Sequence, residues 1–423
     1  MEKILIKNVT VINADETLYA QDILITNGII EEMDEGISAQ ADKVINGEGL
    51  YAFPGFCDLH SHLRDPGLTY KEDILSGACS AAAGGFTTIC CMPNTKPVVD
   101  SAETVAYIIE KAKKTGLARV LPVAAITCGM AGKELTDFSL LKNAGAVAFS
   151  DDGLPVQDDE VILQAMKTAK ELGVLLMLHE EDLQNRGGGV ANAGENAEKA
   201  GLPGISAAIE DSMTARDLYY AQKLDARIHI CHVSTEGSVE LVRRAKKNGV
   251  KVTCETGPHY ISLTDEEILS KNANTKVNPP LREEKDKEAV VAGIADGTID
   301  VIATDHAPHS EEEKAVDFEK APFGLIGFET AFSLAVTNLF KAGKVELQGI
   351  ARLMSKTPCE IIGVDGGVLK KNARADIAIC DVEEKYTYQK EHIVSKAKNS
   401  PFLGRELFGK VVYTIAGGKI IYG

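Results

Sequence analysis

Eight apolar segments of strand length alternate with helical patterns, and this alternation limits the fold more than any other feature of the chain. The apolar segments cover residues 53–59, 86–92, 119–126, 144–149, 173–178, 227–231, 250–254 and 299–303. Helical patterns at 102–114, 159–172, 212–224 and 238–248 lie between them. Strands that alternate with helices are typical of βα units. Eight such units predict an α/β fold of the (β/α)8 TIM barrel type rather than an open doubly wound sheet.

Both ends of the chain are rich in strand patterns and poor in helical ones. Residues 4–6, 9–12 and 22–26 are apolar and short, and Asn27 and Gly28 form a hairpin signal. The same pattern returns at 376–380, 411–415 and 419–421. We therefore expect both chain termini to form one small β-sandwich domain. The predicted division is 1–50 and 366–423 for this domain, and 51–365 for the barrel.

The charge balance excludes partners that need a basic surface. The 423 residues contain 45 Lys and Arg against 62 Asp and Glu, a net charge of −17, and no run is rich in Lys or Arg. We expect neither nucleic acid nor an anionic membrane as a partner. No apolar stretch approaches the roughly 20 residues of a membrane span. The nine cysteines are odd in number, none lies in a CxxC pair and several lie in apolar runs, so we expect buried reduced thiols. No secretory signal pattern opens the sequence, so we expect a cytoplasmic location.

Most of the nine histidines fall at the carboxyl end of a predicted strand, where barrel enzymes carry their chemistry. His60 and His62 follow the first strand and are two residues apart, so both rings point to the same side. His179 and His232 end the fifth and sixth strands, and Asp305 ends the eighth. Imidazoles combined with carboxylates favour Zn²⁺ or a neighbouring first-row metal over Mg²⁺ or Ca²⁺.

Other features near these strand ends have two interpretations each. Asp151 and Asp152 follow the fourth strand with opposite facing, and one of them could bridge two metals. His259 fits a structural role at least as well as a catalytic one. The Glu-rich segment 310–320 is either a solvated surface loop or a lid that closes over the site.

Three motifs make the family of this chain recognisable. They are PGFCDLHSHLRDPG at 54–67, MPNT at 92–95 and TDHAPH at 304–309. They closely resemble bacterial dihydroorotase of the first type, in the cyclic amidohydrolase superfamily, and the resemblance runs nearly end to end. It implies a (β/α)8 barrel with a small β domain from both chain ends. It also implies zinc-dependent, reversible cyclisation of N-carbamoyl-L-aspartate to L-dihydroorotate in de novo pyrimidine synthesis.

The resemblance implies two zinc ions per subunit and a role for each ligand. The implied metal ligands are His60, His62, Asp152, His179, His232 and Asp305. His60 and His62 match the first-metal pair, and Asp305 matches the catalytic acid and base. Many relatives bridge the metals with a carboxylated lysine after the fourth strand, which contains no lysine here. In first-type dihydroorotases the second Asp of Asp-Asp-Gly takes that place, so we expect Asp152 to bridge.

The resemblance also implies a set of substrate contacts. They are His62, Arg64, Asn94, Asn278, His309, Phe323 and Gly324, the last two through their backbone. Arg64 suits the free carboxylate of the substrate, because a guanidinium binds a carboxylate through two parallel hydrogen bonds.

Two alternative functions and three partner expectations follow from the same resemblance. A hydantoinase, dihydropyrimidinase or allantoinase would share the barrel and the His-x-His pair, but would generally use the carboxylated lysine. An inactive homologue would act as a structural partner of aspartate carbamoyltransferase, although such a protein would be expected to lose ligands. For an active enzyme, we expect the small-molecule substrate as a partner, with a homodimer and association with aspartate carbamoyltransferase as further expectations.

Overall fold

Two eight-stranded sheets organise the chain in the computed structural model, which describes residues 3–423. In chain order the strands are β1 (Ile4–Ile12), β2 (Thr17–Thr26), β3 (Ile29–Asp34), β4 (Lys43–Asn46), β5 (Tyr51–Pro54), β6 (Phe56–Ser61), β7 (Phe86–Cys91), β8 (Arg119–Ala124), β9 (Ala148–Phe149), β10 (Leu176–Leu178), β11 (Ala191–Asn192), β12 (Gly204–Ile205), β13 (Ile228–Ile230), β14 (Val252–Thr256), β15 (Val301–Ile302), β16 (Ile377–Thr387), β17 (Glu406–Ala416) and β18 (Lys419–Tyr422).

The helices lie mostly between the barrel strands. They are α1 (Ile74–Ala83), α2 (Ala102–Thr115), α3 (Phe138–Ala144), α4 (Asp159–Leu172), α5 (Leu183–Arg186), α6 (Glu195–Ala200), α7 (Ala208–Leu224), α8 (Glu236–Lys247), α9 (Glu284–Ala295), α10 (Glu311–Lys314), α11 (Phe328–Ala335), α12 (Leu347–Ala351) and α13 (Thr357–Ile362). Short 3-10 turns lie at Cys128–Met130, Asp265–Ser270, Ala273–Thr275 and Lys390–His392, and π-helical turns at Val336–Phe340 and Arg352–Lys356.

The predicted barrel is confirmed. Its strands pair in parallel in the order β6, β7, β8, β9, β10, β13, β14 and β15, which is also their order along the chain. All eight predicted strands are present. The fourth is shorter than predicted, because the apolar run that begins at Ala144 completes α3, and Gly145 then ends that helix with φ +115°.

Helix α4 illustrates how a barrel helix packs. It buries Ile162, Ala165, Met166 and Ala169, which lie at the i, i+3, i+4 and i+7 spacing of one helical face. The helix ends at Gly173, whose left-handed backbone suits a residue without a Cβ. Among residues 3–423, no helix is both long enough and apolar enough to cross a bilayer.

The terminal strands form the second sheet, in the order β18, β17, β16, β5, β1, β2 and β3, with β4 paired to β1. Both chain ends contribute to it, as predicted. The strands form one continuous hydrogen-bonded sheet, because β4 and β5 pair in parallel with successive parts of the same edge of β1. Isoleucines from both ends of the chain, such as Ile4, Ile23 and Ile377, share one buried cluster. Through β5 the sheet includes Tyr51–Pro54, beyond the expected limit at residue 50.

Asp58 joins the first barrel strand to the last. Its carboxylate, fully buried, accepts hydrogen bonds from the backbone N–H of Thr304 at 2.8 Å and from the Thr304 hydroxyl at 2.6 Å. The backbone N–H of His62 donates to the carbonyl of His306 at 2.8 Å at the same junction. These contacts fix the position of the segment that carries Asp305 relative to the one that carries His60.

Replacing Asp58 with alanine is therefore expected to lower the free energy of unfolding by about 2–4 kcal/mol, because two buried donors of Thr304 lose their acceptor. Urea unfolding would measure this loss. Burial raises the pKa of Asp58 to about 7, so the neutral amide of Asp58→Asn is a close mimic of its protonated form. The Asn variant should lose less than half as much stability as the Ala variant, and equal losses would contradict the hydrogen-bonding explanation.

Candidate active site

The predicted site residues meet at the carboxyl ends of the barrel strands, around a cavity of about 240 Å³. The cavity is lined by His62, Arg64, Asn94, Asp152, Gly153, His179, Arg186, His232, Asn278, Asp305, Ala307, His309, Phe323 and Gly324. His60, which is fully buried, is the one predicted site residue that contacts this group without lining the cavity.

His60 and His62 project from the end of β6 toward Asp305. The Nε2 atom of His62 lies 3.0 Å from Oδ1 of Asp305, and Nε2 of His60 lies 3.7 Å from the same oxygen. One ligand atom of each residue falls within 4.8 Å of those of the others. The three side chains therefore present two imidazole nitrogens and a carboxylate oxygen to one point.

Asp152 lies between the two histidine pairs. Its Oδ1 atom is 3.3 Å from Nε2 of His60, 3.4 Å from Nδ1 of His179 and 3.5 Å from Nε2 of His232. Its Oδ2 atom is 3.5 Å from Nε2 of His62. One carboxylate therefore contacts all four imidazoles, with one oxygen facing the His62 side.

Asp151 points away from this cluster. Its carboxylate accepts from the backbone N–H groups of Ile126 at 2.8 Å and Thr127 at 3.1 Å, and from the Thr127 hydroxyl. These bonds hold the end of the third barrel strand against the fourth. The two adjacent aspartates thus have separate roles, one in the cluster and one in joining strands.

His179 and His232 form the second pair, with Nδ1 of His179 only 2.8 Å from Nε2 of His232. The Nε2–H of His179 donates to Glu181 at 3.2 Å, which leaves a lone pair on Nδ1. Two ring nitrogens that face each other this closely, with a carboxylate oxygen beside them, form a typical ligand arrangement for a metal ion.

Hydrogen bonds on the ring nitrogens that face away from the cluster orient three of the four histidines, one of which is His179 with its bond to Glu181. His60 donates from Nδ1 to Glu255 at 2.8 Å, and His62 donates from Nδ1 to Oδ1 of Asn94 at 2.8 Å. Glu255 also accepts from His229 at 3.1 Å. Burial opposes ionisation of Glu255, but the two imidazoles lower its pKa to about 2. Such partners select the tautomer that turns the other ring nitrogen toward the cluster.

The electrostatics of the cluster suit cations. Burial alone would raise the pKa of Asp152, yet the surrounding imidazoles, His60 foremost, hold it well below its ordinary value. The pKa of Asp305 is lowered in the same way by His62 and His60. Among the described residues, Nε2 of His60 and Oδ1 of Asp152 are buried without a hydrogen-bond partner. Buried nitrogen and oxygen atoms that converge on one another without hydrogen-bond partners indicate metal ligands.

A second group of side chains lies on the far side of the cavity. Arg64 is 8% exposed, its Nε donates to the carbonyl of Pro308 at 3.2 Å, and its Nη2 lies 3.4 Å from Nε2 of His309. His309 in turn donates to the carbonyl of Phe323 at 2.8 Å. Burial, together with Arg64 and Lys71, lowers the pKa of His309, so its ring is neutral. This wall offers a buried guanidinium to an anionic ligand.

Three site residues have backbone conformations that side chains normally avoid. The φ angles are +60° for Arg64, +35° for His232 and +45° for Asp305. A left-handed residue other than glycine costs about 1–3 kcal/mol, which the surrounding fold must supply. Strain of this kind concentrates where a side chain must point in one direction for function.

His259 is not among the residues that line the cavity. Its ring is 1% exposed, packs against Tyr260 with the ring centres 4.1 Å apart, and its pKa is lowered to about 4 by burial. A Cβ on Gly257 would fall 2.3 Å from Cε1 of this ring, so the glycine makes room for it. This geometry favours the structural interpretation of His259.

Sequence reasoning missed three residues of the site, namely Glu181, Glu255 and Arg186. Glu181 follows His179 by two residues, so the parity of an extended chain could have indicated it. Glu255 directly follows the predicted seventh strand, 250–254, and so belongs to the pattern of polar residues at the strand ends, and β14 extends through it. Arg186 ends the short helix α5 and lies over the Phe323 ring at 5.0 Å, and no sequence signal marked it.

Comparison with known proteins gives a consistent result. A family model described as Dihydro-orotase-like matches residues 49–238. The chain is 48% identical to the dihydroorotase of Geotalea daltonii, covering 97% of this chain and 96% of that protein. It is 47% identical to the dihydroorotase of Citrifermentans bemidjiense, covering 99% of each. Among solved structures, the L-hydantoinase (dihydropyrimidinase) of Arthrobacter aurescens matches with a TM-score of 0.88 at 25% identity, covering 100% of this chain and 96% of that one.

Proposed function

This chain belongs to the dihydroorotase family of cyclic amidohydrolases, and we propose that it interconverts N-carbamoyl-L-aspartate and L-dihydroorotate at the cavity described above. The family membership follows from nearly full-length identity of 47–48% with curated dihydroorotases. The observation that carries the site assignment is the meeting of the His and Asp cluster with the buried Arg64 in one cavity.

The ligand cluster is proposed to hold two zinc ions. His60 and His62 would hold one and His179 and His232 the other, and Asp152 lies between the two histidine pairs. The cluster offers only imidazole nitrogens and carboxylate oxygens, a donor set that suits zinc. When bound, the ions would supply Lewis acidity toward a carbonyl group and would lower the pKa of water.

Asp305 is the proposed proton carrier. In the cyclising direction, the ureido nitrogen of N-carbamoyl-L-aspartate bonds to the carbon of the side-chain carboxyl group, and a water molecule leaves. The nitrogen must lose a proton in this step, and the Asp305 carboxylate accepts it. The carboxyl oxygen leaves as water with that proton and a second one from the solvent. In the ring-opening direction, Asp305 takes a proton from the attacking water and delivers it to the departing ring nitrogen. Its lowered pKa keeps it ionised, which is the form that accepts a proton.

Arg64 is the proposed anchor for the carboxylate that both substrate and product retain. The guanidinium is buried, so a hydrogen-bonded ion pair there is poorly screened by solvent. The proposed further substrate contacts line the same cavity and are Asn94, Asn278, His309 and the backbone of Phe323 and Gly324. A buried cation at this place is needed because the chain as a whole carries a net charge of −17.

The fold is shared with hydantoinases, so substrate choice is the decisive measurement. A hydantoinase acts on a ring without the carboxylate that Arg64 is proposed to bind. We therefore expect turnover of L-dihydroorotate to exceed that of hydantoin and dihydrouracil by at least about 100-fold in kcat/KM, the discrimination that a buried ion pair can supply. Equal turnover of the three rings would refute the proposal.

Removing the metal is expected to abolish catalysis without unfolding the barrel. Dialysis against a chelator should reduce the rates of cyclisation and of ring opening by at least about 100-fold, since the ions would polarise the group under attack in both directions and would activate the water that opens the ring. Adding back Zn²⁺ should restore the rate, and elemental analysis should find about two zinc ions per chain, as the two donor groups suggest. The apo enzyme should melt at a lower temperature, because an ion that binds only the native state stabilises it. Full activity at zero metal content would contradict the metal assignment.

The remaining features of the proposal concern the cell and the assembly. A cytoplasmic enzyme is supported by nine cysteines that are all unpaired. A homodimer and an association with aspartate carbamoyltransferase stay predictions from the family resemblance. Size-exclusion chromatography of the enzyme, alone and mixed with that transferase, would test both.

A further inference from the structure

Two buried lysines lie beside the mouth of the active site, and the proposed reaction uses neither of them. Lys276 is 3% exposed and Lys314 is 9% exposed. Lys276 lies two residues before Asn278, which lines the cavity, and Lys314 is the last residue of α10. Lysines are almost never fully buried unless a carboxylate pairs with them, because the charged form is costly to desolvate.

Both ammonium groups instead bind backbone carbonyls. The acceptors are the backbone oxygens of Phe318 and Glu319 for Lys276, at 2.9 Å each, and those of Ala273 and Pro322 for Lys314, at 2.9 and 2.8 Å. Each lysine therefore reaches from its own segment into the other one. We call this reciprocal pair of contacts, made by Lys276 and Lys314, the lysine clamp.

The clamp joins the two segments that carry one wall of the cavity. Residues 310–322 connect His309 to Phe323, and both of these line the cavity. The N–H of Gly324 donates to the carbonyl of Lys276 at 2.9 Å, and Nζ of Lys276 lies 4.6 Å from the centre of the Phe323 ring. The position of this wall therefore depends on how firmly residues 310–322 are held.

Burying these two charged side chains costs desolvation free energy, and an uncharged side chain could fill the same space without that cost. Burial lowers the pKa of Lys276 to about 8 and that of Lys314 to about 7, with further lowering by neighbouring cations. A methionine would fill a similar volume with no desolvation penalty. The lysines are thus explained by the hydrogen bonds they donate, which tie down carbonyls that a surface loop would leave to water.

We propose that Lys276 and Lys314 are positioning residues, which hold residues 310–322 against the segment that leads to Asn278 and so keep His309 and Phe323 in the geometry that receives the substrate carboxylate. The inference rests on the proposed function for its substrate. It also replaces the two interpretations of segment 310–320 with a third, in which the segment is fastened in place and fixes the cavity-lining residues that flank it, His309 and Phe323.

The test compares Lys276→Met and Lys314→Met with the control Lys320→Met. Lys320 lies in the same segment, but its side chain is 75% exposed and pairs with Asp317 of that segment. For both clamp variants we expect KM for L-dihydroorotate to rise about tenfold with kcat within about twofold, the pattern of a lost binding geometry. Amide hydrogen exchange in 310–322 should accelerate at least about tenfold while β6 to β10 stay protected. The control should match the wild type in both measurements.

Two further measurements separate positioning from simple stabilisation. Saturating L-dihydroorotate should restore amide protection of 310–322 in Lys314→Met, because the ligand then holds the wall in place. If Lys314→Met does not fold, Lys314→Arg keeps a cationic donor, and its KM should stay within about threefold of the wild type.

The clamp would be refuted by an unchanged KM, or by exchange that accelerates equally throughout the barrel. The exchange comparison is made without substrate, so it tests the clamp even if the proposed reaction is wrong. A wild type that converts neither N-carbamoyl-L-aspartate nor L-dihydroorotate would refute the proposed function alone.

Discussion

Replacing Asp305 with asparagine should lower kcat in both directions by about a thousandfold, within the range that a lost general acid or base produces. The amide keeps the size of the carboxylate and an oxygen that can face His62, now 3.0 Å from Oδ1 of Asp305. It cannot accept a proton from the ureido nitrogen or return one to the ring nitrogen. The same residue serves both directions, so both rates should fall by the same factor.

Metal content decides whether this loss reports proton transfer. If Asp305→Asn retains the zinc content of the wild type, the loss belongs to the missing base, whereas parallel loss of metal would show that the carboxylate acts mainly as a ligand. Asp225→Asn is a matched control, since Asp225 is 60% exposed and pairs with Lys170 and Lys251 away from the cavity. Cyclisation by Asp305→Asn at the wild-type rate would overturn the assignment.

Replacing Arg64 with methionine should raise KM for L-dihydroorotate by about 100-fold or more, because truncating one partner of a buried, hydrogen-bonded charge pair costs about 2–5 kcal/mol. The effect on kcat should be smaller, since the carboxylate that Arg64 binds does not take part in bond making. Arg64→Lys should recover only part of the loss, as an ammonium group cannot form the two parallel hydrogen bonds of a guanidinium.

Substrate discrimination provides the sharper measurement for Arg64. Dihydrouracil has the ring of dihydroorotate without the carboxylate, so its kcat/KM should hardly change in Arg64→Met. The ratio of the two kcat/KM values should therefore fall by about the factor that dihydroorotate loses, which isolates the carboxylate contact. Arg244→Met, at a side chain that is 70% exposed, serves as the control. An unchanged ratio would show that Arg64 does not recognise the carboxylate.

The barrel and its chemistry were largely predictable because both depend on short-range patterns. A buried parallel strand is an apolar run, and the residue that follows it marks the active end of the barrel, so His179 and His232 could be located by counting along the chain. The same reasoning extended β9 too far toward its start. The run from Ala144 is apolar, which suits a buried helix end as well as a buried strand. The packing of α3 therefore decides where the helix ends and the strand begins.

Segment 310–320 begins with a local helix signal that the prediction of a loop or lid does not take into account. Ser310 and Glu313 form a capping box, in which each side chain bonds the other's backbone N–H, and this spacing indicates a helix start. The structure has α10 at that point. Its last residue, Lys314, then reaches carbonyls at Ala273 and Pro322, a connection that the sequence spacing does not suggest.

Local sequence patterns specify the barrel class, the sharing of the small sheet by both termini and the set of candidate ligands, because hydrophobic periodicity and strand ends are properties of neighbouring residues. Long-range packing selects which of two adjacent aspartates faces the histidines. It also determines that Glu255 and Glu181 orient His60 and His179, and that two lysines clamp the wall of the cavity. These outcomes depend on contacts across separate strands and loops, where burial makes each unpaired donor or acceptor costly and so selects one arrangement.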